Sequence, residues 1–309
     1  MGIIAAPLGI LYSRHTFLGQ QRPSLRSLTK YFTMEFAGLL IVGPALGIVS
    51  LVGPLSNIST LQNSITYTRG LNLFGAWQRP YGDPNVFVSP KQLDYYKSKG
   101  LTTFRQTLLW EALQPIKFGP LDSTYLGEMD TLVANLKVRN MQVSFTFINQ
   151  GVYPARSNTV IIGSDLADVW IKLARHYKDE PTVWAYDLMN EPYKDDNWQL
   201  HAQQVINAIR TVDPNKPIIA MPQQENSSGY ADFNGYTDPS NNLWYEAHTY
   251  FDRGSNGFYK GTYDQEGAYP TIGVDRAKPF VRWCQQHALV NRQMRCIEGE
   301  YGIPGGWTS

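Results

Sequence analysis

The strongest constraint on this chain is an alternation. From about residue 68 to residue 299, short apolar runs of strand length take turns with stretches whose apolar residues recur at helical spacing. Residues 68–74, 101–105, 141–147, 183–189, 217–221, 243–248 and 295–299 read as strands. The helices between them carry their own punctuation. Ser89-Pro90 supplies an N-cap and a first helical residue, and Gly100 a stop. Residues 125–137, 165–177, 201–212 and 277–286 also read as helices. In 165–177, Leu166, Val169, Trp170, Leu173 and Ala174 form one face at i, i+3, i+4, i+7 and i+8. Such alternation predicts an α/β fold, a parallel sheet covered by helices. Seven strands are visible, so the expectation is a (β/α)8 TIM barrel truncated after strand 7. Strand 8 and helix 8 would be missing, and the chain would be a fragment of a longer one.

In such barrels chemistry gathers where strands end. Here those ends carry Arg105, Asn149, Asn190, Glu191, His248, Tyr250 and Glu300. Glycoside hydrolysis needs two carboxyl groups astride the scissile bond, one to protonate the leaving oxygen and one to attack or to activate water. Glu191 ends the fourth predicted strand and Glu300 the seventh, and a closed barrel brings those two ends face to face. Glu298 is a competitor. Two residues before Glu300, it is expected on the same side of the strand.

The strand ends also resemble a known family. Trp184-Ala185-Tyr186-Asp187-Leu188-Met189-Asn190-Glu191-Pro192 and Ile297-Glu298-Gly299-Glu300-Tyr301-Gly302 resemble the fourth- and seventh-strand motifs of glycoside hydrolase family 5, in its cellulase-like branch. Thr103-Phe104-Arg105 with Trp110, the run from Tyr245 to Asp252, and Arg69-Gly70-Leu71-Asn72 resemble further strands of that family, in the same order. The resemblance covers about 68–306. It implies a retaining endo-acting hydrolase of a β-linked polysaccharide, β-1,4-glucanase-like, working by double displacement with no cofactor and no metal. Glu191 is then the acid/base and Glu300 the nucleophile. Arg105 and Tyr250 should hold Glu300 ionised, Asn190 should bind the sugar 2-hydroxyl, His248 should lie near the acid, and Asn149 should support the site. Burial and the charge of Glu300 should raise the pKa of Glu191. Trp77, Trp110, Tyr153 and Trp198 are candidate sugar-stacking aromatics. One departure stands out: Ile148 occupies the place where cellulase-like members carry a histidine. A catalytically impaired glycan-binding protein and a transglycosylase are the competing readings.

The rest of the chain bears on location. Residues 36–55 hold no charge, and Arg14, Arg22, Arg26 and Lys30 precede them. Such a run suits a signal anchor with a cytoplasmic basic segment at 1–35, or a signal peptide. A Ser/Asn/Thr-rich linker at 56–66 leads to a catalytic domain at 67–309. The expected protein is exported and faces outward, held by 36–55, or is secreted if that segment is cleaved. The 27 basic and 26 acidic side chains leave a net charge of +1, with no basic stripe for nucleic acid. A neutral polysaccharide is the expected partner, and a monomer the expected state. Nineteen Tyr and eight Trp suit sugar stacking or core packing. Cys284 and Cys296 are the two cysteines, either bonded or two buried thiols.

Overall fold

Seven short strands lie side by side in chain order and all run parallel. They are β1 (Gly70–Leu73), β2 (Thr103–Leu108), β3 (Gln142–Phe147), β4 (Val183–Asp187), β5 (Ile218–Ala220), β6 (Leu243–Tyr250) and β7 (Arg295–Gly302). A computed structural model of the chain describes residues 70–75, 87–223, 227–262, 264–267, 269–291 and 294–302. The expected segments at 1–35, 36–55 and 56–66 lie outside these. Among the described residues no helix is long and apolar enough to cross a membrane.

The helices are α1 (Pro90–Ser98), α2 (Trp110–Leu113), α3 (Ser123–Lys137), α4 (Gly163–Tyr177), α5 (Trp198–Arg210) and α6 (Ile272–Val290). The punctuation read from the sequence is in place. Ser89 and Gln92 form a reciprocal capping box around Pro90, and Gly100 takes a φ of +76° just past the helix. Asp122 accepts the N–H of Tyr125 at the start of α3. The predicted stripe of α4 is buried throughout. Two starts differ. Helix α5 begins three residues before the predicted one, because Trp198 packs into the core. Helix α6 begins five residues early and carries Pro279 inside it, where the ring removes one backbone donor without ending the helix.

The sheet curls into a nearly closed barrel of the (β/α)8 kind. Strand β1 pairs only with β2, and β7 only with β6, among the described residues. Across this seam Asn72 Nδ2 donates to the Gly299 carbonyl at 2.9 Å. Cys284 and Cys296 are bonded to each other, tying α6 to β7.

One irregularity decides how β7 presents its side chains. Ala247 pairs with Glu298 and His248 with Glu300, so Gly299 is an extra residue in the ladder. A bulge of this kind re-aims the side chain after it. Glu298 and Glu300 therefore face opposite sides of the sheet, which corrects the expectation that they share one.

Candidate active site

The polar interior of the barrel is built on Arg105. Its residue is buried on β2, and the fork reaches four strands. Nε lies 2.6 Å from Asp187 Oδ2 and 2.9 Å from Glu246 Oε1. Nη1 donates to Asn190 Oδ1 at 3.0 Å and to Asn72 Oδ1 at 3.3 Å, and lies 3.5 Å from Glu300 Oε2. Burial works against the charged guanidinium, but the three carboxylates outweigh it and raise its pKa further. The bond from Arg105 fixes the Asn190 amide oxygen, leaving its NH2 as the end turned to other partners.

Glu191 follows directly. Its backbone sits at φ +46°, in the left-handed region. A non-glycine residue there is a strained turn held by its surroundings, a pattern that clusters at working sites. Its Oε1 lies 2.8 Å from His248 Nδ1. On the facing strand Glu300 is buried, accepts the Tyr250 hydroxyl, and has Oε2 3.8 Å from the same His248 nitrogen. One donor atom each of Glu191, His248 and Glu300 lie within 4.8 Å of one another. That donor set has the make-up of a cation site. Both imidazole nitrogens already face carboxylates, however, at 2.8 Å from Glu191 and 3.3 Å from Glu246. A ring that donates at both nitrogens has no lone pair for a metal.

The charges arrange themselves differently from the expectation. Burial alone would discharge His248, but Glu191, Glu246 and Glu300 push it up to about 10. Burial raises Glu191 too, yet the bond from His248 outweighs it and holds Glu191 below its ordinary value. Glu300 is raised by burial more than His248 and Arg105 lower it, with Glu191 and Glu246 adding to the rise. Both shifts favour the proton on the imidazole of the Glu191–His248 pair. The predicted elevated Glu191 is corrected by a contact the sequence does not display.

Of the other predicted residues, Asn149 is spent. It is fully buried, its oxygen takes the Trp110 N–H at 3.1 Å, and its amide donates to Glu111 at 2.8 Å. It pins α2 instead of facing a ligand. Trp110 is fully buried between Phe147 and Tyr153, with its indole N–H on Gln114. Trp198 is equally buried, donating to the Met221 carbonyl. Neither is a sugar platform; both are core. Tyr153 is half-buried, edge-on to Trp110, with its hydroxyl on the Gln114 carbonyl. Trp77 lies outside the described residues. An exposed aromatic beside Glu191 is Tyr193, two residues after it and 48% exposed. Asp187, Glu246 and Asn72 were missed as site residues. Period two was the available signal: Glu246, His248 and Tyr250 alternate along one strand face.

Comparison with known proteins follows the same lines. The family model described as Cellulase (glycosyl hydrolase family 5) matches residues 61–303. Endo-beta-1,4-glucanase B of Aspergillus niger is 27% identical over 229 residues, which are 72% of this chain and 66% of that protein. The chain thus spans slightly under two thirds of that relative's length. Among solved structures, the endoglucanase Cel5A of Pseudomonas stutzeri is 29% identical, with a TM-score of 0.70 and 78% of each chain covered. XacCel5A, solved with cellopentaose, is 26% identical with a TM-score of 0.66, over 77% of this chain and 80% of that one.

Proposed function

Because the chain belongs to the cellulases of glycosyl hydrolase family 5, we propose that it is a retaining endo-acting β-glycan hydrolase, with β-1,4-glucan as its substrate. One observation carries this reading: an oxygen of Glu191 and an oxygen of Glu300 lie within 4.8 Å of each other, at the ends of opposite strands. Retaining glycosidases hold their two carboxyl groups about 5–5.5 Å apart, whereas inverting ones leave room for a water between them, at about 6.5–9.5 Å. The names of the relatives, endo-β-1,4-glucanases, support the substrate class.

The chemistry divides as follows. Glu300 attacks the anomeric carbon as the bond to the leaving sugar oxygen breaks. The proton held by the Glu191–His248 pair passes through Glu191 to that oxygen. Water then gives a proton to Glu191 while its oxygen attacks the anomeric carbon, and Glu300 is released. Arg105 and Tyr250 hold the Glu300 carboxylate in place, and the Asn190 NH2 is available to a sugar hydroxyl.

The test is labelling with a 2-deoxy-2-fluoro glycoside followed by peptide mapping. The expected adduct is on Glu300. Turnover that inverts the anomeric configuration, with no adduct, overturns the retaining reading. A second reading, a glycan-binding protein of impaired activity, draws on Ile148, which stands next to Asn149 at the end of β3. It requires binding of cello-oligosaccharides without release of reducing ends. For location, the Cys284–Cys296 bond supports an oxidising compartment. The proposal remains an exported monomer anchored through 36–55, and N-terminal sequencing of the membrane fraction that began near residue 60 would exclude the anchor.

A further inference from the structure

A carboxylate sits beneath the acid, and none of the steps above uses it. Glu246 is 1% exposed. It lies two residues before His248, on the same face of β6. Its Oε1 is 2.9 Å from Arg105 Nε and 3.3 Å from His248 Nε2, so one oxygen touches both cations of the site. Its surroundings are shaped to admit it. Tyr230 donates its hydroxyl to the Glu246 main-chain carbonyl. A Cβ at the bulge residue Gly299 would fall inside the Glu246 carboxylate, so a glycine is required where that side chain passes under β7.

A structural ion pair with Arg105 does not account for this residue. Arg105 Nε already has Asp187 at 2.6 Å, and a second buried carboxylate adds desolvation cost. What Glu246 alone supplies is a partner for the imidazole nitrogen turned away from Glu191. A carboxylate on one ring nitrogen fixes the proton there and leaves the other nitrogen to exchange.

We infer that Glu246 is a positioning residue for the acid step: it takes the Nε2–H of His248, so the one exchangeable proton stays between His248 Nδ1 and Glu191. This rests on Glu191 being the acid/base. The charged groups around the ring agree with it. Glu191 and Asp187 from the β4 end, Glu246 from β6, and Glu298 and Glu300 from β7 stand against the single guanidinium of Arg105. Burial raises Asp187 to about 7, with Arg105 pulling it down and Glu246 pushing it up. The excess of carboxylates keeps the imidazolium charged well above neutral pH.

The experiment compares Glu246→Gln and Glu246→Asp with the wild-type chain. In Glu246→Gln the negative charge on Nε2 is gone, so the alkaline limb of kcat/KM should move down by about one pH unit. kcat should fall by up to about tenfold at pH values above the wild-type limb and change little near neutral pH, with KM changed less than about threefold. Glu246→Asp keeps the charge and should return most of the limb. An alkaline limb unmoved in Glu246→Gln, with an equal loss at every pH, overturns the inference. Imidazole NMR of His248 gives a readout free of catalysis. The wild-type ring should stay protonated above pH 8, and its titration should fall by a similar amount in Glu246→Gln. A wild-type ring that loses its proton near 6.5 overturns the inference even if Glu246→Gln does not fold. If the titration shifts as expected but the wild-type chain neither labels at Glu300 nor releases reducing ends, the hydrolase reading has failed and the His248–Glu246 contact has not.

Discussion

Glu191 hangs from a strand with hydrogen-bonded neighbours on both sides, and Glu300 from a strand with a described neighbour on one side only. The contrast runs through the whole barrel. Every residue of β2 is buried, and five of the six in β3, with Phe104 against Tyr96 of α1 and with Phe145 and Phe147 against Tyr177 and Trp170 of α4. In β7 only Glu300 is buried out of eight residues. On the wall, pairing and packing fix the backbone, and Glu191 inherits its position. At the seam, individual contacts replace them: the Cys284–Cys296 bond, Asn72 on the Gly299 carbonyl, the Tyr259 hydroxyl on the Gly302 carbonyl, and Tyr250 on Glu300 itself. The difference teaches that Glu300 is placed by a handful of separable interactions, so its placement should be open to change without unfolding the wall.

The largest effect should come from the carboxylates themselves. Glu300→Gln should lower kcat by at least about 1,000-fold on any glycoside, because no leaving group substitutes for a nucleophile. Glu191→Gln should lose about 100- to 10,000-fold on a glucan. With an aryl glycoside whose leaving group needs no proton, its glycosylation step should recover most of that. Steady-state and burst kinetics on both substrates decide it, and equal losses for Glu191→Gln on both would break the assignment of roles. Next comes the bulge. Gly299→Ala collides with the Glu246 carboxylate and should misplace Glu300 by a fraction of an ångström. A kcat loss of about 100-fold is expected, with destabilisation of only about 1–3 kcal/mol. Unfolding without a selective kcat loss would erase the distinction between seam and wall.

The covalent tie is third. The cysteines are 12 residues apart, and replacing both by serine should remove about 2–3 kcal/mol of stability by freeing that loop in the unfolded chain. Denaturant melts measure this. Activity at low temperature should fall more than in a wall variant of matched stability. The smallest effect concerns Glu298. Burial pushes it up to about 7, so its ionised form favours the unfolded chain. The resulting cost is absent below about pH 4.5 and fully present above pH 7. Glu298→Gln should therefore raise stability at pH 8 by roughly 1 kcal/mol, change it little at pH 4.5, and leave kcat nearly untouched. A large kcat loss would mean that Glu298, not Glu300, faces the substrate.

Much of this was legible in the residues. The strand–helix alternation, the caps at Ser89 and Gly100 and the stripe of α4 are local patterns, and local patterns survive folding. The residues named from the family motifs, Arg105, Asn190, Glu191, His248, Tyr250 and Glu300, do lie in contact with one another. The aromatics misled because burial cannot be read from residue type. Trp110 and Trp198 have indole N–H groups satisfied by Gln114 and a main-chain carbonyl, which lets a tryptophan sit in the core as readily as at a subsite. Asn149 misled for the same reason, since its amide is used up on α2.

The sequence by itself determined the parallel barrel, the two glutamates at opposite strand ends and the glycine between Glu298 and Glu300. Only the tertiary structure decided which way each carboxylate points and where the proton rests. A strand's alternation is a local rule that one inserted residue reverses, and the insertion shows only when β7 is paired with β6. A pKa is a sum over neighbours that the chain brings in from residues 187, 191, 246 and 300. No stretch of sequence contains that sum until the fold has closed around His248.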